Sequence, residues 1–179
     1  MGTDEKKITT ITSICVILLR EVRAERGIHQ AQIADWIGKT PSAWTKVEAG
    51  KSPLQFETFV RVCYSMQVMP SAVMGTAERY ATLLNNSGWA VLNSELDSSD
   101  DALLSEAQEY WGSPGCRSAT QNRWGYMSIL NGPTYNQDQT VNIAPVFQFA
   151  LDPMFKQLQL IPPPPPPPPL PLSPLPRPF

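Results

Sequence analysis

Apolar residues recur every three or four positions along the first 75 residues, a spacing that predicts a series of short amphipathic helices. The first stripe has the spacing i, i+3, i+4, i+7 and i+11, and its members are Ile11, Ile14, Cys15, Leu18 and Val22. Gly27 is expected to end that helix. Further helices are predicted at residues 30–37, from Pro41 with Trp44 and Val47 on its buried side, at residues 55–66, and from Pro70. Together these helices predict a compact all-α unit.

The pattern is less regular after residue 75. Residues 77–84 predict a connecting helix, residues 89–92 a strand, and residues 102–111 a helix behind a start signal of serines and aspartates. Residues 123–130 and 141–151 are expected to form strands on either side of the turn signal Asn131-Gly132-Pro133. A smaller α+β C-terminal region is therefore expected to follow the helical unit.

A proline-rich tail closes the sequence, with eight consecutive prolines from Pro162 onward. Proline fixes φ and lacks a backbone N–H, so the tail is expected to adopt polyproline II rather than join a packed core. One interpretation is a docking ligand with PxxP spacing and Arg177 as its basic residue. The favoured interpretation is a disordered extension. The predicted organisation is a first domain at 1–75, a C-terminal region at 76–160 and the tail at 161–179.

Charge differs between the two parts of the chain, although the net charge is only −2. Residues 1–75 hold nine Lys and Arg against seven Asp and Glu, whereas residues 76–179 hold five against nine. A mildly positive first part suits an anionic partner there.

Three widely spaced cysteines argue against a disulfide framework and for a reducing compartment. Cys15 and Cys63 have apolar neighbours and are expected to pack as small hydrophobic residues. His29 is the only histidine, and without a CxxC or HxxxH pair no metal site and no cofactor are expected. No stretch reaches the roughly 18 apolar residues of a membrane span. The protein is expected to be cytoplasmic, without a membrane partner.

Two short helices with a tight joint at Gly38 form the pattern of a helix-turn-helix, whose second helix fits the major groove of DNA. Several neighbouring motifs occur in register with it. They are Leu19-Arg20-x-x-Arg23-x-x-x-Gly27, Gln30 at the head of the second helix, Ile33-Ala34 with Ile37-Gly38, Val47-Glu48-x-Gly50-Lys51, and a fourth helix from near Glu57. With these motifs, residues 12–75 resemble the XRE family, the Cro and lambda-repressor type of DNA-binding domain.

The resemblance implies that Gln30 braces phosphate and the recognition helix, and that the exposed face of the next helix meets bases and backbone. The DNA-binding residues expected by position and chemistry are Gln30, Thr40, Pro41, Ser42, Ala43, Thr45, Lys46 and Lys51. Hydroxyl groups can bond phosphates or bases, a methyl group can touch thymine, and lysine offers a cation. Glu48 matches a glutamate whose role in the family is structural.

Three positions depart from the family pattern. His29 stands where a Ser or Thr usually caps the second helix, and it is interpreted as a poor cap rather than a pH sensor. Pro41 stands where relatives often carry a base-reading Gln or Arg. Trp44 replaces an aliphatic residue and is expected to fill the core, because that family position is buried.

The resulting expectation is a sequence-specific transcription regulator, a repressor that binds double-stranded DNA as a homodimer. The C-terminal region would then supply dimerisation or partner sensing. The alternative is an antitoxin-like interaction protein whose C-terminal region binds a protein partner while the first domain autoregulates. An enzyme is not expected, because a lone histidine and unpaired carboxylates provide no catalytic constellation.

Overall fold

The computed structural model describes residues 7–118 and 127–165, and they are mainly helical. The helices of these two ranges are α1 Ile11–Glu25, α2 Gln30–Trp36, α3 Pro41–Glu48, α4 Phe56–Ser65, α5 Pro70–Asn86, α6 Ala102–Gly112, α7 Pro114–Ser118, α8 Pro145–Leu151 and α9 Pro153–Leu160. The strands are β1 Ile8–Thr10, β2 Ala90–Leu92, β3 Thr134–Tyr135 and β4 Val141–Asn142, and a 3₁₀ helix covers Ile129–Asn131. None of the helices in the described ranges is long and apolar enough to span a membrane.

The first four helices confirm the prediction from apolar spacing. Helix α1 begins where the Thr10 hydroxyl accepts a hydrogen bond from the backbone N–H of Ser13 at 3.0 Å. Gly27 follows the helix with φ at +63°, a conformation that glycine adopts without strain. Every residue from Ile14 to Leu19 is buried, so α1 is enclosed on all sides over this stretch, and it packs against α3, α5 and α6. Helix α1 is therefore the central support of the fold.

The predictions after residue 69 need three corrections. Residues 77–84 are not a separate connecting helix, because they continue the single helix α5. Residues 141–151 are not one strand: β4 ends at Asn142 and α8 starts at Pro145. Residues 123–126 lie outside the described ranges, and the strand predicted to end at Leu130 is instead a 3₁₀ helix there.

The wrong strand at 141–151 has a physical explanation. A short apolar run has no periodicity that separates a buried strand from a buried helix. Pro145 occupies the first helical turn, where its fixed φ and missing N–H are tolerated. Phe147 then stacks on Tyr80 of α5 with ring centroids 3.9 Å apart, and the Tyr80 hydroxyl accepts from the Ala144 N–H at 3.0 Å. Packing against α5 therefore stabilises α8 as a helix.

Strand β1 pairs in parallel with β2, with Ile8 opposite Ala90, and no sequence pattern predicted it. Asp101 strengthens the same connection. Its buried carboxylate caps α6 by accepting from the Leu104 N–H at 2.9 Å. It also accepts from the Thr9 hydroxyl at 2.8 Å and the Ser13 hydroxyl at 2.5 Å. Residues 8–13 are therefore tied to residues about 80 to 90 positions later.

The predicted boundary between residues 75 and 76 falls inside α5. The buried stripe of that helix runs from Val73 through Ala77 and Tyr80 to Leu84, so residues on both sides of the boundary enter one hydrophobic core. The division at 75/76 stays a prediction. Residues 162–165 of the tail are exposed, and residues 166–179 lie outside the described ranges.

The three cysteines form no disulfide, and all three are buried. Burial raises the pKa of the Cys15 thiol and of the Cys63 thiol to about 12, so both stay protonated at neutral pH. Both side chains belong to the hydrophobic core. The expectation that they pack as small apolar residues is confirmed.

Candidate nucleic-acid interface

The joint between α2 and α3 is a short, fully capped turn. After α2, the Gly38 N–H donates to the Asp35 carbonyl at 3.1 Å and the Lys39 N–H to the Ala34 carbonyl at 2.8 Å. These two hydrogen bonds close the C-terminal end of α2, and Gly38 has a φ of +68°. The Thr40 hydroxyl then accepts from the Ala43 N–H at 3.2 Å and caps α3. The turn thereby holds α3 at a fixed angle to α2.

Helix α3 has one buried and one exposed side. Trp44, Val47 and Glu48 are buried. The predicted DNA-binding residues lie elsewhere on the helix and around its ends: Thr40, Pro41, Ser42, Thr45, Lys46 and Lys51 are exposed, and Gln30 and Ala43 are half-buried. A groove-sized helix therefore presents short polar side chains and cations to solvent.

Glu48 is the centre of a buried hydrogen-bond network behind that exposed face. Only 1% of its surface is exposed. Its carboxylate accepts from Arg23 of α1 through Nε at 2.6 Å and Nη2 at 3.1 Å, and from the Trp44 indole Nε1 at 2.9 Å. A fourth donor is the side-chain amide of Gln30. A buried carboxylate with this many donors is well satisfied, so it fixes α3 against α1 and α2.

Gln30 links this network to the exposed face. Its amide nitrogen donates to Glu48, while its Oε1 lies 3.3 Å from the Thr45 hydroxyl oxygen. Thr45 Oγ1 also lies 2.9 Å from the Pro41 carbonyl, a shorter contact that suits its single hydrogen better. Within the described ranges, no further contact occupies the second amide hydrogen of Gln30 or the lone pairs of the Thr45 hydroxyl. Both side chains are thus held in position before any ligand arrives.

The cations of the interface gather at both ends of α3. The Lys51 N–H donates to the Lys46 carbonyl at 2.8 Å, which closes the helix and keeps these two residues at the same end. Neither ammonium forms an ion pair with a residue of the described ranges. Lys39, which sequence reasoning did not include, is exposed in the turn before the Thr40 cap. Its position next to the predicted joint was the signal that could have found it.

Helix α6 supports the far end of the interface. Gly50 has a φ of +72°, and a Cβ built there would approach Leu104 Cδ2 to 2.0 Å. The Gln108 side chain also reaches the Glu48 carbonyl at 3.5 Å. No sequence pattern predicted this support, because the two segments are far apart along the chain. The end of α3 is therefore packed directly on the C-terminal region.

Comparison with known families agrees with this geometry over the first four helices. Residues 16–67 match a family model described as a helix-turn-helix domain. The match begins within α1 and ends just after α4, and it supports a general DNA-binding helix-turn-helix domain at these residues. No curated protein and no solved structure matches the chain significantly.

Proposed function

We propose that this protein is a sequence-specific transcription regulator of the XRE type, a repressor that binds its operator as a dimer. The observation that carries the proposal is the division of α3 into two sides. Its buried side is fixed by Glu48, and its exposed side carries Ser42, Thr45 and Lys46. A helix whose buried side is held in place and whose exposed side is polar is suited to enter the major groove.

The proposed contacts divide into two classes. Lys46, Lys51 and the free amide hydrogen of Gln30 are suited to phosphates, which position the protein. Ser42, Thr45 and the Ala43 methyl are suited to base edges, which carry sequence information. Among the residues assigned to base edges, none has the paired donors and acceptors of a bidentate reader of guanine or adenine. One half-site would therefore contribute modest specificity, and two copies on two half-sites would supply the remainder.

Selection of bound DNA from a random pool, with the purified full-length chain, tests this proposal directly. We expect a recovered motif with two-fold symmetry and half-site centres about 10 base pairs apart, or a multiple of that spacing. The matched control is the triple variant Ser42→Ala, Thr45→Ala, Lys46→Ala, which changes exposed side chains only. It should fold normally and recover no motif.

Two outcomes would contradict the proposal. If the folded triple variant enriches the same motif as the unaltered chain, α3 does not read the DNA. If neither protein enriches any motif, the proposed regulator is wrong, and so is autoregulation by the first domain of an antitoxin-like protein. Repression is tested separately by transcription in vitro from a promoter that overlaps the recovered motif. Added protein should lower the transcript level, and an increase would show activation instead.

A further inference from the structure

Thr45 is exposed on α3, but the single hydrogen of its hydroxyl group is already used inside the protein. Thr45 Oγ1 lies 2.9 Å from the Pro41 carbonyl oxygen and 3.3 Å from Gln30 Oε1. Both neighbouring oxygens can only accept a hydrogen bond, and a threonine hydroxyl has one hydrogen to donate. Whichever oxygen accepts it, this hydroxyl keeps no hydrogen for a ligand and presents only lone pairs.

The buried network behind α3 sets the orientation of the Gln30 amide. The oxygen and the nitrogen of a side-chain amide are assigned from the groups that they contact. The Glu48 carboxylate, which pairs with Arg23 at 2.6 Å, only accepts hydrogen bonds, so the Gln30 atom that faces it is the amide nitrogen. Gln30 Oε1 is then the atom that faces Thr45. The protein therefore offers the Thr45 hydroxyl acceptors and no donor.

Ser42 carries the other exposed hydroxyl group of α3, and its hydrogen is not committed in this way. In residues 7–118 and 127–165, no hydrogen bond engages the Ser42 side chain. Its hydroxyl can donate or accept, so it can contact a phosphate or any base edge. The two hydroxyl groups on the exposed side of α3 therefore differ in the ligand atoms that they can contact.

We propose that Thr45 determines specificity by accepting a hydrogen bond from an exocyclic amino group in the major groove, on adenine or on cytosine. These amino groups are the only donors that bases present there, because guanine presents N7 and O6, and thymine presents O4 and a methyl group. Phosphate oxygens are acceptors as well. This assignment rests on the proposed function, since Thr45 reaches bases only if α3 enters the groove.

A contact between Thr45 and an acceptor is disfavoured by the internal hydrogen bond. To donate to a phosphate or to guanine O6, the hydroxyl would have to give up its bond to the Pro41 carbonyl. One hydrogen bond would replace another, so the net gain in binding free energy would be small. Accepting from an amino group keeps the internal bond and adds a new one. Thr45 is therefore expected to favour an amino group at its position in the groove.

Removal of single amino groups from the DNA tests this assignment. In the motif recovered by selection with the full-length chain, each adenine is replaced in turn by purine, and each cytosine by a pyrimidinone that lacks the amino group. The affinities of the unaltered chain and of Thr45→Val, which keeps the shape but lacks the hydroxyl, are measured by fluorescence anisotropy. At one position, the loss for the unaltered chain should exceed the loss for Thr45→Val by roughly two- to tenfold, the range for one hydrogen bond.

The comparison of the two proteins removes the effect of the analogue on the DNA duplex itself. A missing amino group also weakens the base pair, but it does so equally for both proteins, so the difference reports only the contact with Thr45. Thr45→Ser keeps a hydroxyl at the same position of the helix and should keep the sensitivity to that amino group. Ser42→Ala is the matched control: it should bind more weakly, yet show the same sensitivity as the unaltered chain.

Three results would overturn the assignment while the recovered motif, and with it the proposed function, remains. The first is an equal response of Thr45→Val and the unaltered chain to the loss of every amino group. The second is a difference that follows replacement of a purine N7 by carbon, which would show that Thr45 donates. The third is a difference that follows replacement of thymine by uracil, which would show that its methyl group makes the contact. Failure to recover any motif would instead contradict the proposed function, and the base contact with it.

Discussion

At the scale of single residues, Trp44 has two roles, and the sequence predicted only one of them. Its burial confirms the prediction of a core residue, since only 1% of its surface is exposed. Its indole also donates to Glu48 at 2.9 Å, a bond that spacing alone did not predict. Helical periodicity identifies which residues face inward. It does not specify which buried polar atoms meet, because that depends on rotamers and on α1.

Trp44→Ala and Trp44→Phe separate these two roles. Trp44→Ala should lower the free energy of unfolding by about 3–5 kcal/mol, since it leaves a large cavity. Trp44→Phe keeps most of the packing and should lower it by about 1–3 kcal/mol, since one donor to a buried carboxylate is lost. Urea denaturation measures both, with Ser42→Ala as an exposed control in α3. Equal losses for the two Trp44 variants would show that the hydrogen bond contributes little.

Lys46 and Ser42 should respond differently to the sequence of the DNA. Lys46→Ala should weaken binding similarly on all sequences and reduce the slope of log affinity against log salt by about one. Ser42→Ala should weaken binding to the recovered motif by about 1–3 kcal/mol and bind scrambled DNA almost normally, if its hydroxyl meets a base edge. Fluorescence anisotropy at several salt concentrations distinguishes the two patterns. If the effect of Lys46→Ala instead depended on the DNA sequence and that of Ser42→Ala did not, Lys46 would be the residue that contacts a base and Ser42 the one that contacts phosphate.

At the scale of elements, α2 and α3 were predictable because their end signals are local. Thr40, Pro41 and Gly38 each act within their own turn. Some elements that depend on distant partners were predicted wrongly or missed, although the strand predicted at 89–92 is confirmed as β2. Strand β1 exists through its pairing with residues 90–92, and α8 is helical where the apolar run suggested a strand. The same division applies to the candidate interface: the resemblance to a known family implied its residues, whereas nothing in the sequence indicated its support by α6.

The contact between α3 and α6 can be tested at Gly50. Gly50→Ala meets both a positive φ and the Leu104 side chain, whereas Gly38→Ala meets a positive φ in open space. Gly50→Ala should therefore destabilise the protein more than Gly38→Ala does. Leu104→Ala makes room for the methyl group that Gly50→Ala introduces. It should therefore lower the free energy of unfolding less in the Gly50→Ala variant than in the unaltered protein. Additive effects in this double-mutant cycle would show that the two residues are not coupled.

At the scale of the whole molecule, the segment that matches the helix-turn-helix model shares its core with the C-terminal region. A chain that ends at residue 75 should therefore unfold at a much lower denaturant concentration than the full chain. Burial of the side chains of Leu84, Leu103 and Leu104 contributes roughly 1.5–3 kcal/mol per residue to the free energy of unfolding. Their sum is comparable to the total stability of a typical protein, about 5–15 kcal/mol. A cooperative, equally stable 1–75 fragment would contradict this expectation and support an autonomous first domain.

Deletion of residues 166–179 provides the opposite comparison. A proline-rich segment has few backbone donors and a fixed φ at each proline, so it is not expected to form a helix or an inner strand that packs on the core. Its removal should leave the melting temperature and the operator affinity nearly unchanged. Differential scanning calorimetry and anisotropy measure the two quantities. A large loss of either would show that these residues pack on the body of the protein.

The bonds of Asp101 with Thr9 and Ser13 also set an order of events during synthesis. The ribosome releases the start of α1 long before it adds Asp101 and the residues that cover the buried face of that helix. The nascent chain therefore carries exposed apolar surface until α6 and α8 have emerged, and chaperones would have their longest access to it in that interval. Under the proposed function, newly made protein would become able to bind DNA only after α6 and α8 have left the ribosome.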